Sequence, residues 1–145
     1  MKITQSQFNE ITQRLYALNV KKINATDSSL IEEYDEMIAI LETILSESNI
    51  VYPEFNGKGQ IGSICNIVSE NGCRDLEVEL VENQILPSSI KRASINSPMG
   101  SELLGSKLGD IISVVEPGGQ TVNYKVYGLT NGEIEYLTAP EKTRK

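Results

Sequence analysis

Apolar residues in the first third of the chain recur at helical spacing. Phe8, Ile11, Leu15 and Leu18 step by three and four, which predicts a helix over residues 4–19 with one apolar stripe. Residues 27–48 repeat the pattern through Leu30, Tyr34, Met37, Leu41 and Ile44 or Leu45. Two such stripes joined by the polar link Lys21–Thr26 bury each other only by folding back as an antiparallel hairpin, a short coiled coil. Ser29 followed by Glu32 has capping-box spacing, and Asp27 lies where the second helix presents its positive end. Ile31, Ile38 and Ile40 fall off the main stripe and are expected to face either the rest of the protein or a partner.

The period then changes from helical to two. Pro53, Gly57 and Gly59 among polar residues mark a linker. Beyond it, Ser63–Val68 and Leu76–Val81 are predicted strands around a turn at Glu70–Gly72. Leu76, Val78 and Leu80 alternate with acidic residues, so one face is expected to be buried and the other wet. Ser97, Pro98 and Gly105 supply the cap, first position and terminator of a short helix. Strands resume at Ile111–Val115 and Val122–Leu129 around Pro117, Gly118 and Gly119, and Asn131 with Gly132 turns the chain into a last strand, Glu133–Leu137. The expected architecture is α+β: a helical hairpin at 1–50, a linker at 51–61, and a mostly antiparallel sheet carrying one helix at 62–145.

Composition narrows the functions. The 145 residues are 39% hydrophobic and 23% charged, as in a folded domain. No apolar run is long enough to span a bilayer and the first twenty residues lack a signal-peptide pattern, so the cytoplasm is expected and a membrane is not. The net charge of −7 divides into −4 over residues 1–50 and −3 over the rest, which disfavours direct nucleic-acid binding and favours a protein partner. With two cysteines, Cys65 and Cys73, and no histidine, a four-ligand zinc site lacks donors, and both cysteines are expected to be reduced. Gly57, Gly59 and Gly62 precede a strand rather than joining strand to helix, so they suit a flexible linker better than a nucleotide loop. Nothing singles out a catalytic residue, a metal-binding set or a cofactor.

The run Ile95, Asn96, Ser97, Pro98, Met99, Gly100, Ser101, Glu102, Leu103, Leu104, Gly105, then Lys107 to Asp110 and the Pro117-Gly118-Gly119 turn, resembles the C-terminal domain of the Gre transcript cleavage factors across residues 60–129. Its glycines and prolines sit at chain reversals and helix ends, Leu103 and Leu104 are expected to plug the sheet, and these residues specify fold before function. The resemblance implies an FKBP-like domain without prolyl isomerase activity. It also implies docking at the rim of the secondary channel of bacterial RNA polymerase through a loop that corresponds to Asn96, Ser97 and Pro98. Asn96 replaces a frequent aspartate there.

At the hairpin tip, Asp27, Ser29, Glu33 and Tyr34 match the Asp, Ser, Glu and Tyr of cleavage factors. Those factors carry two tip carboxylates, three residues apart, that help hold a magnesium ion and its attacking water. Here the first is Asp27 and the second position is Leu30, which offers no oxygen ligand. An arm of about 17 residues also reaches only roughly 26 Å, less than a Gre hairpin. The layout therefore resembles the short-hairpin, Rnk-type members of the family, which implies competition with Gre factors rather than cleavage. Two alternatives stay open: a divergent cleavage factor in which Glu32 or Glu33 supports Asp27, and an interaction module pairing hairpins through Ile31, Ile38 and Ile40 as a dimer rather than a monomer.

Overall fold

The computed structural model describes residues 1–132 and 134–137. Glu133 at the start of the expected last strand, and the basic residues Lys142, Arg144 and Lys145, lie outside the described residues.

Strand β1 (Lys2–Ile3) leads into α1 (Gln5–Asn24), a three-residue link, and α2 (Ser28–Ser46). A capping box that the sequence reading passed over starts α1. Thr4 Oγ1 accepts from Gln7 N at 3.1 Å, and Gln7 Oε1 accepts from Thr4 N at 3.0 Å. The helix runs five residues beyond the expected end. Val20–Asn24 contains no breaker, and Lys21 and Lys22 complement the negative end of the helix. The arm is therefore 20 residues, or about 30 Å, rather than 26 Å.

The second helix is capped by Asp27, not Ser29, because Asp27 Oδ1 accepts from Ser29 N at 2.8 Å. Its buried stripe also differs. Ile38 and Leu41 are buried, while Leu30 and Met37 are each 40% exposed. Residues 30, 34, 37 and 41 and residues 31, 34, 38 and 41 both satisfy helical spacing, and packing against Ile11, Leu15 and Leu18 selects the second phase. Ile38 is thus part of the hairpin core, and of the three isoleucines expected at a partner or domain face only Ile40, 60% exposed, points outward without cover.

After α2, β2 (Asn49–Ile50) pairs in parallel with β1 and ties the two ends of the hairpin together. Within the stretch expected to be a linker, Gly59 is tied to the residues that follow the short helix of the β-domain. Gly59 N donates to Ser106 O and Gly105 N to Gly59 O, both at 2.8 Å, and a Cβ at Gly59 would lie 2.2 Å from Leu103 O. Only a residue without a side chain allows that approach.

The sheet runs β3 (Ile64–Ser69), β4 (Asp75–Val81), β5 (Arg92–Ser94), β6 (Ile111–Val115), β7 (Thr121–Asn131) and β8 (Ile134–Leu137), in the order β5-β4-β3-β7-β6 with β8 on β7. Every pair is antiparallel except β4–β5, which the sequence reading did not anticipate. Helix α3 (Pro98–Leu103) plugs the sheet through Leu103, packed with Cys65, Ile67, Leu80, Val114, Tyr124 and Val126. Leu104 was expected to plug it too, but the helix has ended there and its side chain is 47% exposed.

Candidate functional site

Two separate regions carry the residues expected to act. The first is the hairpin tip. Asp27, Ser29, Leu30, Glu32 and Glu33 are exposed and Tyr34 is half-buried against the hairpin core. The Asp27 carboxylate is already engaged as the α2 cap. Glu32 and Glu33 lie five and six residues further on, roughly 8 Å along the axis. Lys22 spans the two arms to Asp35 at 2.6 Å, an exposed pair that adds little to stability. The tip carboxylates do not converge as magnesium requires: Asp27 is followed three residues on by the apolar Leu30, and Glu32 and Glu33 lie about 8 Å farther along the axis. Among the described residues no group of three or more acidic, cysteine or histidine side chains could hold a metal ion.

The second region is the loop between β5 and α3. Ser97 is the helix cap, with Oγ accepting from Gly100 N at 3.0 Å and donating to Ser94 O at 2.7 Å. Pro98 follows at the first helical position, where its missing N–H costs nothing. Asn96 is exposed, and its backbone N–H donates to Ser94 Oγ at 3.2 Å. The loop borders a groove of about 520 Å³ whose walls include Arg74, Lys91, Met99, Val115 and Pro117. The lining is mainly apolar, and the cation Arg74 is already paired with Glu116 of the same wall at 3.3 Å, which suits a protein surface better than a small charged substrate.

A third arrangement joins the hairpin to the sheet and was missed from the sequence. Glu79 belongs to the strand face expected to be wet, yet it is only 5% exposed because the base of α1 covers it. Arg92 Nε donates to Glu79 Oε1 at 2.7 Å, Nη1 to Glu10 Oε1 at 2.8 Å and Nη2 to Ser6 Oγ at 2.8 Å. Ser6 Oγ donates in turn to Glu79, and Ser88 Oγ donates to the other Glu10 oxygen at 2.7 Å. Hydrogen bonding from Arg92 holds the Glu10 carboxyl below its usual range, against the opposing effect of burial. Burial works against the Arg92 charge, but its two carboxylate partners outweigh that and raise its pKa. Arg92 follows Lys91 in a polar stretch, so nothing in the neighbouring residues marked it as a buried charge.

A helical hairpin seated on a curled mixed sheet, with a capped loop and groove displayed beside it, defines a two-part α+β fold. The family model for "Transcription elongation factor, GreA/GreB, C-term" matches residues 56–131, just over half of the chain. The chain belongs to this GreA/GreB family.

Among curated relatives, transcription elongation factor GreA of Thermotoga neapolitana is 32% identical over 92 residues, covering 63% of this chain and 58% of that protein. GreA of Alkaliphilus oremlandii is 35% identical over 104 residues, covering 68% of this chain and 62% of its own. The chain thus spans about three-fifths of the length of these relatives. Among solved structures, GreA factor homolog 1 (Gfh1) of Thermus thermophilus aligns at 23% identity and a TM-score of 0.45, covering 90% of this chain and 99% of that one. GreA/GreB from Nitrosomonas europaea aligns at 21% identity and a TM-score of 0.46, covering 90% and 97%. No described helix is long and apolar enough to cross a membrane.

Proposed function

We propose that this protein is a non-enzymatic transcription regulator that docks at the secondary-channel rim of bacterial RNA polymerase and competes there with Gre-type factors without stimulating transcript cleavage. In this reading the β-domain docks through the loop at Asn96, Ser97 and Pro98, and the short arm occupies the channel entrance, as in the Rnk-type members. The observation that carries it is the tip: Asp27 is spent on capping α2 and Leu30 stands where the second carboxylate of a cleavage factor would be. Family membership over residues 56–131 supports a polymerase partner. The arm's length of about 30 Å supports occupancy of the entrance rather than chemistry at the far end.

The test uses purified core polymerase and backtracked complexes. The protein should co-purify with core polymerase at low salt, leave backtracked RNA intact, and in excess suppress cleavage stimulated by a Gre factor. RNA cleavage that disappears in Asp27→Ala would establish the divergent cleavage factor instead. Absence of both binding and competition would leave only the interaction-module reading.

A further inference from the structure

We propose that Arg92 is a positioning residue that sets the direction of the hairpin relative to the docking loop. It bridges Glu79 of the sheet to Ser6 and Glu10 of α1. The apolar contacts between the two parts, through Ile3, Ile11, Ile85 and Leu86, supply cohesion. Hydrophobic attraction is non-directional, however, and permits rotation about the contact. Direction has to come from bonds with defined angles.

The Arg92 side chain, 3% exposed, offers such bonds from a rigid planar fork, each of its three nitrogens reaching a different side chain at 2.7–2.8 Å. Two of those partners are on the helix and one is on the sheet, so a change in hairpin angle cannot preserve all three. Buried ion pairs of this kind contribute little net stability compared with apolar packing, and specifying one geometry is their better-attested role. Arg92 also begins β5, which runs directly into Asn96, Ser97 and Pro98. The clamp and the docking loop therefore share one short strand. The consequence for transcription rests on the reading proposed above, because the angle determines where a docked protein sends its arm.

The experiment measures that angle in the full chain without polymerase. Nitroxide labels are placed on the exposed native Cys73, in the β3–β4 turn, and on Thr26→Cys at the hairpin tip, while the buried Cys65 stays unlabelled. Pulsed dipolar spectroscopy should give a single narrow distance for the parent. The double variant Ser6→Ala/Glu10→Ala leaves the Arg92–Glu79 pair within the sheet but also removes the direct Ser6–Glu79 and Ser88–Glu10 bonds, so the assignment to Arg92 itself is read from the second variant. Arg92→Lys keeps the charge and removes the fork. Both should lose the single narrow distance while the circular dichroism of the chain is retained. Persistence of the parental distance in either variant overturns the proposal. Failure to bind polymerase alongside the expected spectroscopic change would instead remove the functional reading and leave the positioning role standing.

Discussion

Replacing Gly100 by alanine tests the seat of α3 against β5. A Cβ at this position would lie 1.8 Å from Ser94 O and 2.5 Å from Ser94 C, both backbone atoms of β5 that cannot rotate away. Ordinary carbon–oxygen contact is about 3.3 Å, so the helix and strand would have to separate by roughly 1.5 Å. Overpacking costs ~1–3 kcal/mol, and a rigid backbone obstacle places this case at the upper end. Ser94 O also accepts from Ser97 N at 2.9 Å and Ser97 Oγ at 2.7 Å, and the separation weakens both bonds, a further loss of about 1 kcal/mol each.

Alanine's better helix propensity returns only about 1 kcal/mol, so the clash wins by roughly 2–4 kcal/mol. At an m value of roughly 2 kcal/mol/M this is a fall of about 1–2 M in the urea midpoint, followed by circular dichroism. Gly118 is the control, since its Cβ would meet nothing within 4 Å and its φ is not positive. Gly118→Ala should stay within about 0.5 kcal/mol of the parent. An unchanged midpoint for Gly100→Ala, or an equal fall for both variants, would refute the reasoning.

Other outcomes follow from single contacts. Asp27→Ala should destabilise the hairpin by about 1 kcal/mol in thermal melts, whereas Asp27→Asn, which can still cap, should not. Asn131 is fully buried, accepts from Ser63 Oγ at 2.6 Å and donates to Glu54 O at 3.0 Å and Lys58 O at 3.2 Å. Asn131→Ala should therefore cost about 1–3 kcal/mol in urea unfolding. Because Arg92 lowers the Glu10 pKa in the folded state, the stability this contributes is present above the ordinary value of 4.5 and is lost as pH falls through the lower folded value. Unfolding midpoints measured across that acid range should fall less steeply in Glu10→Gln. A thiol reagent should titrate Cys73 alone in the native protein and both cysteines in denaturant, since burial pushes the Cys65 pKa up to about 12.

The elements legible in the sequence were those governed by neighbouring residues. Ser97, Pro98 and Gly105 bracket α3 to within a residue because cap, first position and terminator act over one turn. The alternation of Leu76, Val78 and Leu80 located β4, and the apolar stripes located both helices. Failures began where two local answers were equally good. Leu30 and Met37 compete with Ile31 and Ile38 for the α2 stripe at the same spacing, and nothing within the helix separates them. The same limit hid the buried state of Glu79, whose strand pattern is that of a solvent-facing residue until α1 is laid over it.

The sequence by itself determined the α+β division and the capped loop of the β-domain, because each depends on residue chemistry within a few positions. Only the tertiary structure decided which helix faces meet, that Gly59 is tied to Gly105 and Ser106 just after α3, and that Arg92 joins Glu79 to Ser6 and Glu10. Those arrangements depend on contacts between residues as much as 86 positions apart. Local spacing carries no information about such pairs until hydrophobic burial has brought the segments together.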